Sequence, residues 1–148
     1  IDGRYPVQEV STGLPHILVP LVSLEALKEA KIDRERYFRL VEKTWAKPIL
    51  VFSLQGRDST HQVSVRMFAD YLGVSEDPAT GSGNGCLAGY LVKHRVLGAQ
   101  EVSLVSGQGH EIGRPSHLFL EGRDQEGGAL SVRVGGRVVD TASGEWSL

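Results

Sequence analysis

The chain has 148 residues, 41% of them hydrophobic and 23% charged, with a formal net charge of −2 and a pI near 6.2. This composition suits one globular domain with enough apolar mass for a core, and it excludes intrinsic disorder and a basic nucleic-acid surface. No apolar run approaches the roughly 18 residues of a membrane span. Cys86 stands alone, which excludes an internal disulfide and suits a reducing, cytoplasmic setting. The chain starts at Ile1 without a signal-peptide pattern, as expected of a fragment or processed piece.

Residues 8–11 and 16–21 read as short strands parted by the turn formers Gly13 and Pro15, with Pro20 suited to an edge or a strand end. Ser23 suits the N-cap of a helix carrying Leu24, Leu27 and Ile32 on one face. Asp33 caps a second helix with Tyr37, Leu40 and Val41 at helical spacing, stopped at Lys47 and Pro48. Residues 49–52 form a short, apolar, β-prone run, residues 55–62 are turn-rich, and residues 63–67 alternate as a strand does. A helix fits from about Ser82 to Leu97, with Gly98 as its stop. Its first half is apolar on every side, as in a helix surrounded by protein. Strands are expected at 101–105, 118–121, 130–134 and 137–140, with Gly135 and Gly136 as a hairpin turn. The sum is an α+β domain in which a curved, mostly antiparallel sheet, a partial barrel, wraps one buried central helix.

The densest chemistry lies in Glu76-Asp77-Pro78-Ala79-Thr80-Gly81-Ser82-Gly83-Asn84-Gly85, directly before the apolar run that opens with Cys86. A helix N-terminus offers unpaired N–H groups and partial positive charge to a substrate carboxylate, and glycines let a ligand approach the backbone. Asp77 can handle a proton. Each residue also has a plain reading: Asp77-Pro78 as a turn, Ser82 as an N-cap, Thr80 as structural. The segment lacks the spacing of a dinucleotide loop or a phosphate loop. Cys86 reads as a small buried hydrophobe. The histidines at 16, 61, 94, 110 and 117 show no metal-ligand spacing; His16 reads as structural and His110 as a candidate at the border of a cleft. Arg66 is a candidate partner for Glu76 or Asp77, Arg114 a structural anchor, and Trp45 and Trp146 packing residues.

Arg66-Met67-Phe68-Ala69, then Glu76-Asp77-Pro78-Ala79-Thr80-Gly81-Ser82, then a buried helix resembles the phenazine-biosynthesis isomerase (PhzF-like) family, which has the diaminopimelate-epimerase fold. Ser11-Thr12-Gly13-Leu14-Pro15-His16, the run from Gln108 to Ser116, and Val134-Gly135-Gly136-Arg137-Val138-Val139 agree in order. The likeness covers the second of the family's two similar domains, between which the active site lies. It implies a cofactor-independent isomerase or epimerase that moves a proton on a small carboxylate-bearing metabolite, with neither metal nor organic cofactor.

By the same resemblance, Asp77 is the acidic residue facing the substrate and Ser82 a polar contact near the reacting carbons. The N–H groups from about Gly81 to Asn84 hold the carboxylate, which makes Thr80, Gly81, Gly83 and Asn84 the substrate contacts. The family's catalytic Glu and its Gly-His-Pro motif belong to the first domain, and neither occurs here. The expected partner is therefore a missing N-terminal domain or a second copy in a homodimer, with no nucleic acid and no membrane. Asp70 stands where the family usually has Pro, and Gly83 where Ala is usual. The alternative is a non-catalytic ligand-binding or scaffold domain that retains the fold.

Overall fold

Residues 1–125 and 128–147 are described by the structure, a computed structural model. Strands β1 (Gln8–Ser11) and β2 (Pro15–Leu21) are followed by helices α1 (Leu24–Glu29) and α2 (Arg34–Val41), then β3 (Ile49–Ser53), β4 (Val63–Ala69) and β5 (Val74–Asp77). Helix α3 (Gly81–Lys93) leads into β6 (Glu101–Gln108), β7 (Ser116–Asp124) and β8 (Leu130–Gly136). The strands form one curled sheet in the order β1-β2-β3-β4-β6-β7-β8, with β5 also paired to β4. It is a mixed sheet: β2–β3 and β4–β6 are parallel and the other pairings antiparallel. Each parallel pair needs a crossover, which α1 and α2 supply in the first case and β5 and α3 in the second.

The first half follows local rules. Ser23 Oγ accepts from Ala26 N at 3.1 Å and Asp33 Oδ1 from Arg36 N at 3.1 Å, so both expected caps form. Pro20 is interior by strand order, yet β1 pairs β2 only as far as Leu18, so its absent N–H breaks no ladder bond there.

Two features position the site. The first is a fork in β4: Val63 to Val65 pair with β6, whereas Met67 and Ala69 pair with β5. Beyond Val65 the ends of β5 and β6 part, and Asp77 and Gln108 stand on either side of the gap. The second is α3, whose residues from Gly83 to Val92 are all buried among β1, β2, β6, β7 and β8. Glycines 81, 83, 85 and 89 each weaken a helix by roughly 1 kcal/mol relative to Ala, so α3 is held by burial of Cys86, Leu87, Tyr90, Leu91 and Val92 in the main core. Tyr90 also donates to Pro6 O at 2.6 Å.

Four expectations are corrected. Helix α3 stops at Lys93, not Leu97: Val96 N donates to Leu91 O and Arg95 N to Val92 O, the Schellman pattern, with Arg95 at φ 46° in the position usually held by glycine. Gly135 and Gly136 are no hairpin turn; they end β8, paired with Phe119 and Leu118. Residues 137–140 form no strand, and Val138 and Val139 are 91% and 84% exposed. Trp45 and Trp146 are exposed rather than packed.

Candidate active site

The site grows from the turn between β5 and α3. Thr80 takes the N-cap position with extended backbone (φ −99°, ψ 94°), and its hydroxyl makes no cap bond. That hydroxyl turns back to donate to Asp77 Oδ2 at 2.5 Å. Ser82 lies in the first turn, half-buried, with its carbonyl accepting from Thr12 Oγ1 at 3.3 Å. Asn84 N gives the first helical bond, to Thr80 O at 2.9 Å. The N–H groups of Gly81, Ser82 and Gly83 therefore have no intrahelical acceptor, as the opening of any helix requires.

Beneath this turn lies a buried polar hub that sequence reasoning missed. Gln108 Nε2 donates to Asp77 O at 2.7 Å and to Thr80 Oγ1 at 2.9 Å. Its Oε1 accepts from Asn84 Nδ2 at 2.8 Å and from Thr80 N at 3.3 Å. Asn84 Nδ2 also reaches Thr80 O, and Ser106 Oγ donates to Asn84 Oδ1. Asn84, Ser106 and Gln108 are wholly buried. The signal was present in the strand period: Val102, Leu104, Ser106 and Gln108 fall on one face of β6, so two polar groups point at an apolar helix carrying one amide, Asn84.

Of the expected substrate contacts, Gly81 lies at the surface while Gly83 is buried. A Cβ at Gly83 would meet Leu50 Cδ1 at 2.8 Å, Thr80 Cγ2 at 3.2 Å and His16 Cδ2 at 3.3 Å, so α3 packs closely on β2 and β3, and an alanine there would require the Leu50 side chain to shift. The side chains of Thr80 and Asn84 are committed inward. Beside Ala79 and Gly81 runs an open groove of about 560 Å3, lined also by Ser116, His117, Gly136 and Arg137.

Glu76 rather than Asp77 takes the arginine. Arg66 Nε and Nη2 hold the Glu76 carboxylate at 2.9 and 2.8 Å, and Nη1 donates to the carbonyls of Leu27, Lys28 and Ala30 at the end of α1. Glu76 holds the Arg66 guanidinium above its ordinary pKa. Glu111 is ion-paired to Arg57 and lies 3.8 Å from Arg66.

His16 is fully buried with Nδ1 3.0 Å from Leu14 O, and Nε2 has no partner among the described residues; burial pushes its pKa down. Burial likewise pushes the Cys86 thiol up, which fits an unreactive core residue. His110, expected at the cleft border, lies edge-on to His61 with ring centres 5.6 Å apart. Both imidazoles cover Gly107, whose strand parity is opposite to that of Ser106 and Gln108. Among the described residues no cluster of three or more His, Cys, Asp or Glu could hold a metal, and no helix is long and apolar enough to cross a membrane.

The fold places the chain in the PhzF class of α+β domains. A solved phenazine biosynthesis protein of the PhzF family from Bacillus anthracis superposes with a TM-score of 0.72 at 26% identity, over 84% of this chain and 42% of that one. A second, from Enterococcus faecalis, shares the fold at 18% identity with a TM-score of 0.50, over 85% of this chain and 45% of that one. The PhzC-PhzF model, phenazine biosynthesis-like protein, matches residues 1–144, and the chain belongs to that family. Its sequence is 31% identical to an uncharacterized isomerase of Clostridium acetobutylicum over 92% of this chain and 46% of that protein. It is 33% identical to the trans-2,3-dihydro-3-hydroxyanthranilate isomerase of Pseudomonas fluorescens over 97% of this chain and 48% of that protein. The chain spans about half the length of the curated relatives it matches.

Proposed function

We propose that this chain is the C-terminal half of a cofactor-independent isomerase with a diaminopimelate-epimerase-like, helix-wrapping fold, acting on a small carboxylate-bearing metabolite. The observation that carries the reading is the juxtaposition of a half-buried carboxyl, Asp77, with the free N–H groups of the first turn of α3, beside an open groove. The substrate carboxylate sits on the N–H groups of Gly81, Ser82 and Gly83, where aligned donors and the helix dipole favour an anion. Asn84 contributes through the hub, since its own N–H is already given to Thr80 O.

Asp77 takes a proton from a carbon next to an electron-withdrawing centre, the double bond shifts, and a second acid–base group gives a proton to another carbon of the skeleton. Ser82 contacts the substrate near the reacting carbons. The second group and the other wall of the cleft come from a partner, either a further domain or a second copy of this fold. Closure of that cleft excludes water and tunes the acid.

The test uses the complete protein and trans-2,3-dihydro-3-hydroxyanthranilate, the compound in the name of the Pseudomonas relative, together with cyclic amino and hydroxy acids. Turnover and uptake of solvent deuterium into one of these is expected. Asp77→Asn should lower kcat at least about 100-fold, the lower range for loss of a positioned acid or base, and Ser82→Ala should lower it less. Full turnover in both variants, or a wild-type protein that exchanges no proton with any of these compounds, would overturn the reading.

A further inference from the structure

The geometry points to Gln108 as a positioning residue that fixes the Thr80 hydroxyl as a donor to Asp77, and so determines which oxygen of the acid stays open. The inference rests on Asp77 being the acid of the proposed isomerase. Its basis is the direction of every hydrogen bond in the hub.

Gln108 bridges the gap where β5 and β6 part, with no exposure to solvent. An amide can be turned end for end, but here backbone groups settle the matter. Thr80 N–H is only a donor, so the end of Gln108 facing it is the carbonyl; Asp77 C=O is only an acceptor, so the opposite end is the NH2. Thr80 C=O fixes Asn84 in the same way, turning Nδ2 toward it and leaving Oδ1 to accept from Ser106.

With both amides oriented, Thr80 Oγ1 receives an N–H from Gln108 at 2.9 Å. Its own hydrogen is then directed to Asp77 Oδ2, 2.5 Å away, an acceptor in the carboxylate form. With Asp77 as the carboxylate, donation runs Asn84 to Gln108 to Thr80 to Asp77. No described residue donates to Asp77 Oδ1, so the relay commits one oxygen and leaves the other for chemistry. A purely structural Gln108, closing the fork through Thr80 N–H and Asp77 C=O, would carry the same polarity, so the split between kcat and KM in the variants below is what separates the two roles.

The discriminating variants alter polarity at nearly constant shape. In the complete protein, assayed with trans-2,3-dihydro-3-hydroxyanthranilate, Thr80→Val removes the hydroxyl and should lower kcat about tenfold to 100-fold, the range for a misplaced catalytic group, with KM changed less than threefold. Thr80→Ser restores the donor and should recover kcat to within about threefold. Gln108→Met, of similar length and without a donor, should resemble Thr80→Val. Wild-type kcat in Thr80→Val, with Asp77→Asn inactive, would overturn the positioning role and leave the proposed function standing. A fully active Asp77→Asn would instead remove the reading beneath it.

A second readout needs neither turnover nor a mutant that folds. Proton NMR of the wild-type protein should reveal a Thr80 hydroxyl proton in slow exchange with water. Its absence would overturn the inference.

Discussion

Gly109 follows Gln108 directly, and its replacement by alanine tests whether the site rests on a close backbone approach. Its φ is +78°, and an added Cβ would lie 2.3 Å from Arg114 O, 2.8 Å from Pro78 O and 3.0 Å from Pro78 Cα. All three are backbone atoms, so no side chain can swing aside. The left-handed conformation costs an L residue about 1–2 kcal/mol, and forcing a methyl into packed space adds about 1–3 kcal/mol. Gly113 lies in the same loop at φ +69° with nothing near its Cβ, so Gly113→Ala carries the first cost alone. At about 2–4 °C per kcal/mol for a chain of this size, Gly109→Ala should lower the Tm by about 4–20 °C and Gly113→Ala by about 2–8 °C. Scanning calorimetry of the two variants side by side checks this. Pro78 adjoins Asp77, so turnover should also fall in Gly109→Ala and hold in Gly113→Ala. A Gly109→Ala protein no less stable than Gly113→Ala would refute the close approach.

Glu76→Gln should destabilise the protein by about 3 kcal/mol, the lower part of the range for breaking a buried pair. Both side chains are under 10% exposed, while the α1 carbonyls still hold the Arg66 guanidinium. Urea unfolding measures this, and a loss below about 1 kcal/mol would show that the charge is dispensable. For pH, His16 and His110 are both held below the ordinary 6.5, chiefly by burial. The unfolded chain then binds more protons, so stability is complete above pH 6.5 and declines as the pH falls through that value toward the folded pKa values. The urea midpoint should drop between pH 7 and pH 5; a flat profile would count against buried neutral imidazoles.

The short-range features were legible because short-range physics sets them. Ser23 and Asp33 cap as their side chains dictate, and the apolar run after Gly85 fits the buried helix that forms. The end of α3 was misread because a glycine at position 98 looked like the stop, whereas tertiary contacts favoured a Schellman turn through Arg95. The supposed Gly135–Gly136 hairpin failed because glycine is also tolerated at a strand end, where Gly136 pairs with Leu118. In the site, Asp77, Thr80 and Ser82 stood out through their motif. Gln108 stood out only as the start of a separate run and Ser106 not at all, because their role depends on β6 joining β4, a pairing that no local pattern encodes. Arg66 was legible as a partner for an acid but not as the cap of α1, since three carbonyls at the end of that helix are brought to it by the fold.

The fork in β4 carries a consequence for how the molecule comes into being. Asp77, Thr80 and Asn84 are neighbours in sequence and meet as soon as the turn before α3 forms. Gln108 arrives only after the chain has traversed α3 and β6 has docked in parallel on the first half of β4, a non-local step of the kind that slows folding. A nascent chain released just past α3 would display every letter of the motif while lacking the donor that gives it direction. The motif is thus written early, and its chemistry is completed late, when the last central strand is in place.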